Sequence, residues 1–453
     1  MTDNKNAIWN IADNLRGNLD GWDFKNYILG ALFFRYICDK FNLPYFKNAL
    51  QVENLDIYLA SAFRDIEKLL AQDGLFQIFD INSPRLGDNK SCILKILQGV
   101  NKIDFYSNKD TLGDIYEFLI SMYASKAGKS GGEFFTPQEV SQLLMQLATS
   151  DKDSIKNVYD PACGSGSLLL QATKFSPENF YGQEINVISY NLCRINMLIH
   201  GVKFNIACGD TLTSPKYKEF APFDLIVSNP PYSISWRQVN DERFSPVGVL
   251  APKSKGDFAF VLHSLHYLSD TGTAAIVVFP GILYRSGAEQ GIRKYLVDNN
   301  FVDAVIQLPD NLFFGTSIAT CILILKKNKT DKCISFLDAS KEFIKSGKKN
   351  CLSQDNIAHI LKLYKSRINL ISCEEVAREN YNLSVSGYTQ NNCNCDEFDI
   401  KAINAYLKEA THRKILAEIE FNNFIDELEE MLSNDNRTNS LNDSEFQEMP
   451  TPL

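Results

Sequence analysis

The segment with the most legible chemistry in this sequence is Asn229-Pro230-Pro231-Tyr232. Consecutive prolines make a stiff loop lacking two backbone donors, which leaves its carbonyls available as acceptors. The exocyclic amine of adenine is a poor nucleophile because its lone pair is delocalised into the ring. Hydrogen bonds from that NH2 group to the Asn229 amide oxygen and the Pro230 carbonyl would pull the nitrogen toward a pyramidal, more nucleophilic geometry, suited to in-line attack on a sulfonium methyl. Tyr232 would stack on the base once it has left the duplex, since the amine cannot be reached inside stacked DNA. Taken alone, the same four residues describe a capped Pro-Pro turn beside a core tyrosine. The segments that precede them favour the chemical reading.

The first of these is Tyr159-Asp160-Pro161-Ala162-Cys163-Gly164-Ser165-Gly166-Ser167-Leu168, a strand end, a turn of small residues and a Leu-rich helix. Glycines at 164 and 166 let backbone approach a ligand, and a helix start presents unpaired N–H groups to an anionic group. Asp160 suits the opposite charge. An acid at this place disfavours a pyrophosphate and suits a ligand that carries an ammonium, a sulfonium and a carboxylate together, which describes S-adenosylmethionine. The next strand ends in Glu184, near the ~20-residue offset at which a carboxylate meets ribose hydroxyls. Asp210 follows a third, weakly apolar stretch from Phe204 to Cys208, where it would accept a hydrogen bond from the adenine amino group of the cofactor.

These residues need a scaffold that brings strand ends together. Short runs rich in β-branched and aromatic residues, at Asn157–Tyr159, Asn179–Gly182, Leu225–Ser228, Ala274–Phe279, Phe301–Leu308 and Thr320–Leu325, alternate with helical stretches, which implies α/β architecture with a mainly parallel sheet. From Ala7 to about Lys126 the pattern is helical, with a stripe through Phe24, Tyr27, Ile28, Ala31, Phe34 and Cys38 and a second through Leu112, Ile115, Tyr116, Phe118 and Leu119. Glycines between Ala127 and Gly132 interrupt the helix and mark a mobile hinge or loop. The expected organisation is a helical domain over 1–126, a catalytic domain over 127–345, a connecting region over 346–395 in which the strand signal fades, helices over 396–432 and a disordered tail over 433–453.

Composition narrows the class. The 453 residues are 45% hydrophobic and 22% charged, ordinary for globular proteins and enough for more than one core. Lys and Arg number 46 against 55 Asp and Glu, a net charge of -9, so a DNA substrate would have to be gripped largely by another subunit. Eleven cysteines, scattered apart from Cys393 and Cys395 and without a leader peptide before them, read as a chain of the reducing cytoplasm. No run is long and apolar enough for a membrane span, and neither the lone Cys-x-Cys nor the dispersed histidines make a metal site.

The motifs resemble those of amino-methyltransferases, and more narrowly the modification subunit of type I restriction-modification systems. Gly131-Gly132-Glu133-Phe134-Phe135-Thr136-Pro137 is similar to the motif that precedes the glycine-rich loop in that family. Further matches are Gly256-Asp257-Phe258-Ala259-Phe260, Pro309-Asp310-Asn311-Leu312-Phe313-Phe314-Gly315-Thr316 and Tyr381-Asn382-Leu383-Ser384. The resemblance implies a Rossmann-like, mostly parallel seven-stranded sheet, with a helical domain before it and helices docking on a specificity subunit after it. It implies cofactor contacts from Glu133, Phe134, Phe135, Thr136, Pro137, Gln138, Ser165, Gly166, Ser167 and Glu184, with Asp160, Gly164 and Asp210 as neighbours. Asn229, Pro230, Pro231 and Tyr232 would then activate adenine. Ser167 stands where many relatives have Gly. Two such chains around one specificity subunit is the implied assembly, with a restriction and translocase subunit as a further partner.

Absences agree with a subunit that methylates and does not cut. About a hundred residues after Asp338 are too few for a large target-recognition region, and no Gly-x-x-x-x-Gly-Lys-Ser/Thr loop for ATP is present. A cytosine-ring methyltransferase would need a nucleophilic Cys in the 229–232 loop. Transfer to the cytosine N4 amine or another amide-activated amine stays open on the tetrapeptide alone. An inactive scaffold is disfavoured by the full set of acids and the intact Asn229–Tyr232 segment.

Overall fold

The computed structural model describes residues 21–81, 90–103, 119, 136–313, 316–347, 349–389 and 400–442. The chain divides into two compact units, Met1–Gln390 and Asn391–Leu453. The expected hinge at Ala127–Gly132 lies outside the described residues.

In the first unit, helices α1 (Gly21–Lys40), α2 (Leu55–Leu70) and α3 (Lys90–Asn101) form the N-terminal helical layer. The spacing in α1 predicts one apolar stripe, but Leu29, Leu32 and Phe33 are buried as completely as Ile28, Ala31 and Phe34. From Asn26 to Phe34 the helix is buried at every position because Phe63, Phe76 and Phe79 close over it; the Phe63 and Phe76 rings stack at 4.0 Å. This cluster also takes in Leu192 and Ile195 of α6 (Val187–His200), which joins the helical layer to the sheet. Asn186 accepts from the Ile188 and Ser189 amides to start α6, and Gly201, at φ 66°, ends it in the left-handed region.

The sheet has nine strands in the order β11-β8-β6-β7-β5-β4-β1-β2-β3. They are β1 (Asn157–Asp160), β2 (Asn179–Glu184), β3 (Phe204–Cys208), β4 (Phe223–Ser228), β5 (Leu268–Val278), β6 (Val302–Gln307), β7 (Cys321–Lys326), β8 (Cys333–Asp338) and β11 (Leu370–Ser372). β9 (Ile344–Ser346) and β10 (Lys349–Cys351) form a separate hairpin. β3, β2, β1, β4 and β5 run parallel, and β7 is antiparallel to both β5 and β6. Alternate residues go to opposite faces, as strand geometry demands: Tyr159, Tyr181, Ile226 and Ile276 to one core, Val158, Phe180, Leu225 and Val277 to the other. The order reverses beside β1, which opens a crevice at the carboxyl ends of β1 and β4.

Seven strands are expected in the sheet and the described residues supply nine. β8, within the expected catalytic domain, pairs with β6 in parallel, and β11, from the expected connecting region, pairs antiparallel with β8 and completes the sheet. The same stretch supplies α10 (Cys373–Arg378) and, before it, α9 (Gln354–Lys365), started by a capping box between Ser353 and Asn356 and packed near α4 (Gln138–Ala148) through a Gln142–Gln354 amide pair. Three-residue strands such as β11 are too short for a periodicity signal. Tyr381–Ser384 is anchored from α8 (Ala288–Asp298): the fully buried Arg293 donates to the Tyr381 and Ile282 carbonyls, each at 2.7 Å.

The described residues of the second unit form one helix, α11 (Ile400–Asn442), which continues past Leu432 where a disordered tail was expected. Its apolar side chains from Tyr406 to Ile425 are exposed, Phe421 by 64%. Among the described residues no helix is long and apolar enough to cross a membrane.

Candidate active site

β1 delivers Asp160 to the crevice, where it is 1% exposed. Its Oδ1 accepts from the Ala162 amide at 2.9 Å and from the Ser228 hydroxyl at 2.7 Å. Ser228 is the last residue of β4, so this bond ties the glycine-rich turn to the strand that carries Asn229. Burial pushes the Asp160 carboxyl up to about 7, opposed by those two donors and reinforced by Glu184. Glu184, at the end of β2, accepts from the Gly164 amide through Oε2 (3.0 Å) and from the Asn186 amide through Oε1 (2.8 Å). Burial also raises its carboxyl, and the amides oppose the rise. Asp210 turns onto its own loop, accepting from the Leu212 amide and the Thr213 hydroxyl.

These three carboxyls line one cleft together with Thr136, Gly164, Ser165, Ser167, Asn229, Pro231, Ile234 and Phe260, and among the described residues no Lys, Arg or His lines it. A cleft with several acids and no cation suits a ligand that brings positive charge; a sulfonium and an ammonium match that donor set. Gly164 has φ 52°, in the left-handed region, and lines the cleft. Gly166 does not line it. At φ 81° its missing Cβ would meet Cys193 Sγ at 2.7 Å, so glycine is required there by packing onto α6 and not by ligand approach. The Leu-rich helix after the turn, α5 (Ser167–Leu170), is a single turn that passes into a 3-10 segment, Gln171–Phe175. Its dipole is therefore short, and the paired Ser165 and Ser167 hydroxyls, 3.0 Å apart, are the polar groups it presents.

Asn229 is held at both ends of its amide. Its Nδ2 donates to Thr136 Oγ1 at 2.9 Å, and its Oδ1 accepts the Tyr232 hydroxyl at 2.6 Å. The amide oxygen, expected to be open to an incoming amine, thus has one lone pair engaged and one to offer. Among the described residues, no backbone donor reaches the Pro230 carbonyl. Tyr232 packs its ring 5.6 Å from Phe279, and burial raises its hydroxyl further, which keeps it a donor to Asn229. The loop then turns at Ser233, φ 51°, whose amide donates to both carboxylate oxygens of Asp257 at 3.1 Å. Asp257 is buried in the first turn of α7 (Asp257–Tyr267). Pro137 is buried and caps α4, while Gln138 is exposed and lines no part of the cleft. Glu133, Phe134 and Phe135 lie outside the described residues.

Beneath the cleft lies a network that the sequence does not announce. Arg243, 4% exposed, donates to the Thr211 and Leu212 carbonyls at 3.0 and 2.6 Å and to both oxygens of Asp241. It also donates to His263 Nδ1 at 3.0 Å. Guanidinium has no acceptor, so Nδ1 must accept and His263 must carry its proton on Nε2, facing the Tyr159 hydroxyl at 3.0 Å. Burial first, and the Arg243 charge second, hold His263 well below the usual histidine range, so it is neutral. The only local signal for this is the Asp241-x-Arg243 spacing. No local signal marks Ser228 or Asp257 as a positioning residue, since a Ser at a strand end or an Asp at a helix start looks like any other.

The 3-2-1-4-5 strand order followed by an antiparallel strand, with acids at the ends of β1 and β2, defines the class as the fold of S-adenosylmethionine-dependent methyltransferases. The N-6 DNA Methylase family pattern matches residues 107–397, and the HsdM N-terminal domain pattern matches residues 4–44. The type I restriction enzyme MpnII methylase subunit of Mycoplasma pneumoniae is 42% identical over 90% of this chain and 93% of its own length. The MjaVIII methylase subunit of Methanocaldococcus jannaschii is 32% identical over 71% of this chain and 60% of its own. The crystal structure of a type I restriction-modification methyltransferase subunit from Streptococcus thermophilus superposes with a TM-score of 0.77 at 34% identity, over 85% of this chain and 98% of that one. The chain belongs to the N-6 DNA methylase family, among the methylase subunits of type I restriction-modification systems, and is an adenine-specific DNA methyltransferase.

Proposed function

We propose that the cleft binds S-adenosylmethionine and that the Asn229 loop activates the N6 amine of an adenine rotated out of the duplex. Bound S-adenosylmethionine supplies a methyl group on a sulfonium. Asp160 and Glu184 favour its positive charge and its ribose hydroxyls, and Asp210 faces the adenine side. The lone pair that Tyr232 leaves on Asn229 Oδ1, together with the Pro230 carbonyl, accepts the two protons of the target amine and localises its lone pair on nitrogen. Thr136 fixes which end of the amide points inward, and Asp257 fixes where the loop turns. The observation that carries this reading is the Asn229 amide, clamped between Thr136 and Tyr232 at the rim of a cleft lined by acids.

Target choice would rest with a separate specificity subunit docked on the exposed apolar residues of α11, with two copies of this chain per specificity subunit and a restriction and translocase subunit as a further partner. The net charge of -9 supports division of labour in gripping DNA. The test is N229A in the reconstituted complex. Losing one preorganised group of this kind costs roughly 10²–10³ in kcat, while S-adenosylmethionine affinity should stay within about threefold, since in this reading Asn229 contacts the target amine and the acids contact the cofactor. Full-speed transfer of methyl to adenine by N229A would overturn the proposal.

A further inference from the structure

Between the catalytic tetrapeptide and α7, the chain runs out and back as a two-segment ribbon. The Gly256 amide donates to the Ile234 carbonyl at 2.8 Å, the Trp236 amide to the Lys253 carbonyl at 3.0 Å, and the Gln238 side-chain amide to the Ala251 carbonyl at 2.7 Å. These pairings place 234 opposite 256, 236 opposite 253 and 238 opposite 251, an antiparallel arrangement. The ribbon is anchored from below. Trp236 is buried, its indole N–H donates to the Pro252 carbonyl at 3.1 Å, and its ring meets Phe244 at 5.5 Å. One end is fixed to the active site, because Ile234 lines the cleft and Ser233 is held by Asp257.

The charges on this ribbon are unbalanced in a chain that is acidic overall. Residues 229–256 carry Arg237, Arg243, Lys253 and Lys255 against Asp241 and Glu242. Arg243 takes Asp241, and Glu242 pairs at 2.7 Å with Lys218 from outside the segment. The Arg237 and Lys253 side chains are exposed, have no hydrogen-bond or ion-pair partner among the described residues, and flank an open hollow with Ser235, Trp236 and Gln238. A concave surface with two unpaired cations, a serine hydroxyl and a rigid aromatic floor is complementary to phosphate oxygens. It lies a few residues along the chain from the loop that would receive the target base.

We propose that Arg237 and Lys253 on this ribbon seat backbone phosphates next to the nucleotide being methylated. The inference rests on the DNA-adenine reading above and adds to it a strand-positioning surface that this chain supplies itself. Extrusion of a base exposes its own sugar-phosphate backbone, and cations fixed on a ribbon continuous with the catalytic loop grip that backbone beside the site.

The test compares wild type with R237A/K253A, each assembled with its specificity subunit. Readouts are anisotropy of a random-sequence duplex across a salt series, methyl transfer to unmethylated genomic DNA, and S-adenosylmethionine binding. Each phosphate contact contributes a salt slope of about 0.9, so losing two lowers the slope by about 1.8. Between about 50 and about 200 mM salt, the wild type should therefore lose about twelvefold more affinity for the duplex than the double variant does. KM for DNA should rise while kcat at saturating DNA and S-adenosylmethionine affinity hold, and R237K/K253R should recover the wild-type slope. If the double variant fails to bind S-adenosylmethionine, R237Q and K253Q singly should each remove about 0.9 of the slope. Superimposable salt slopes, with wild type still methylating DNA, would refute the ribbon's role and leave the adenine reading intact. A wild-type complex that transfers no methyl to DNA would refute both.

Discussion

Burial holds the Asp160 carboxyl near 7 in the ligand-free chain, which makes S-adenosylmethionine binding a proton-linked event. A cation placed beside Asp160 favours its ionised form and returns it toward the ordinary value of about 4. At pH 6 the free chain would then carry about 0.9 proton on this group and the complex almost none, so binding releases about 0.9 proton. At pH 8 the release falls to about 0.1, and affinity should drop about tenfold from pH 8 to pH 6, about 1.4 kcal/mol. Glu184 is shifted in the same direction and adds to the effect with the same sign. The stability of the free chain follows the matching rule. A carboxyl raised on folding contributes stability below its unfolded value that is lost as pH rises through about 7, so the ligand-induced gain in Tm should be larger at pH 7.5 than at pH 5.5. Titration calorimetry at pH 6 in two buffers of different ionisation enthalpy measures the protons directly, and D160N should abolish Asp160's share. Equal apparent enthalpies in the two buffers, or a D160N protein that releases as many protons as wild type, would refute the electrostatic account of the cleft.

Removing the carboxylate that holds Ser233 in its left-handed turn, in D257A, should lower kcat about 10–100-fold and leave S-adenosylmethionine affinity within about threefold, because the loop moves and the cleft does not; isotope-labelled methyl transfer beside calorimetry separates the two. R243A leaves Asp241, two loop carbonyls and a buried histidine without their shared donor, and should cost about 3–5 kcal/mol in urea unfolding. A chain ending at Gln390 keeps the whole first unit, so it should bind S-adenosylmethionine normally while losing co-elution with the specificity subunit on size exclusion. Intact co-elution would remove α11 from the docking role.

Sequence alone located the strands that bear the site, because alternating apolar runs ending in Asp160, Glu184 and Ser228 carry a strong local pattern and the acids and prolines at their ends have distinctive chemistry. It also fixed the class of reaction, since the Asn229–Tyr232 set after such strands admits few other uses. What only the tertiary structure decided are the relations between distant segments. Thr136 meets Asn229, Ser228 meets Asp160, and Asp257 meets the Ser233 amide across separations at which no local periodicity reports. The same holds for Arg243, which no local periodicity marks and which is held between the loop after β3 and α7. Burial is a property of the assembled layers, so the direction in which Asp160 titrates and the need for glycine at 166 appear only once those layers have met.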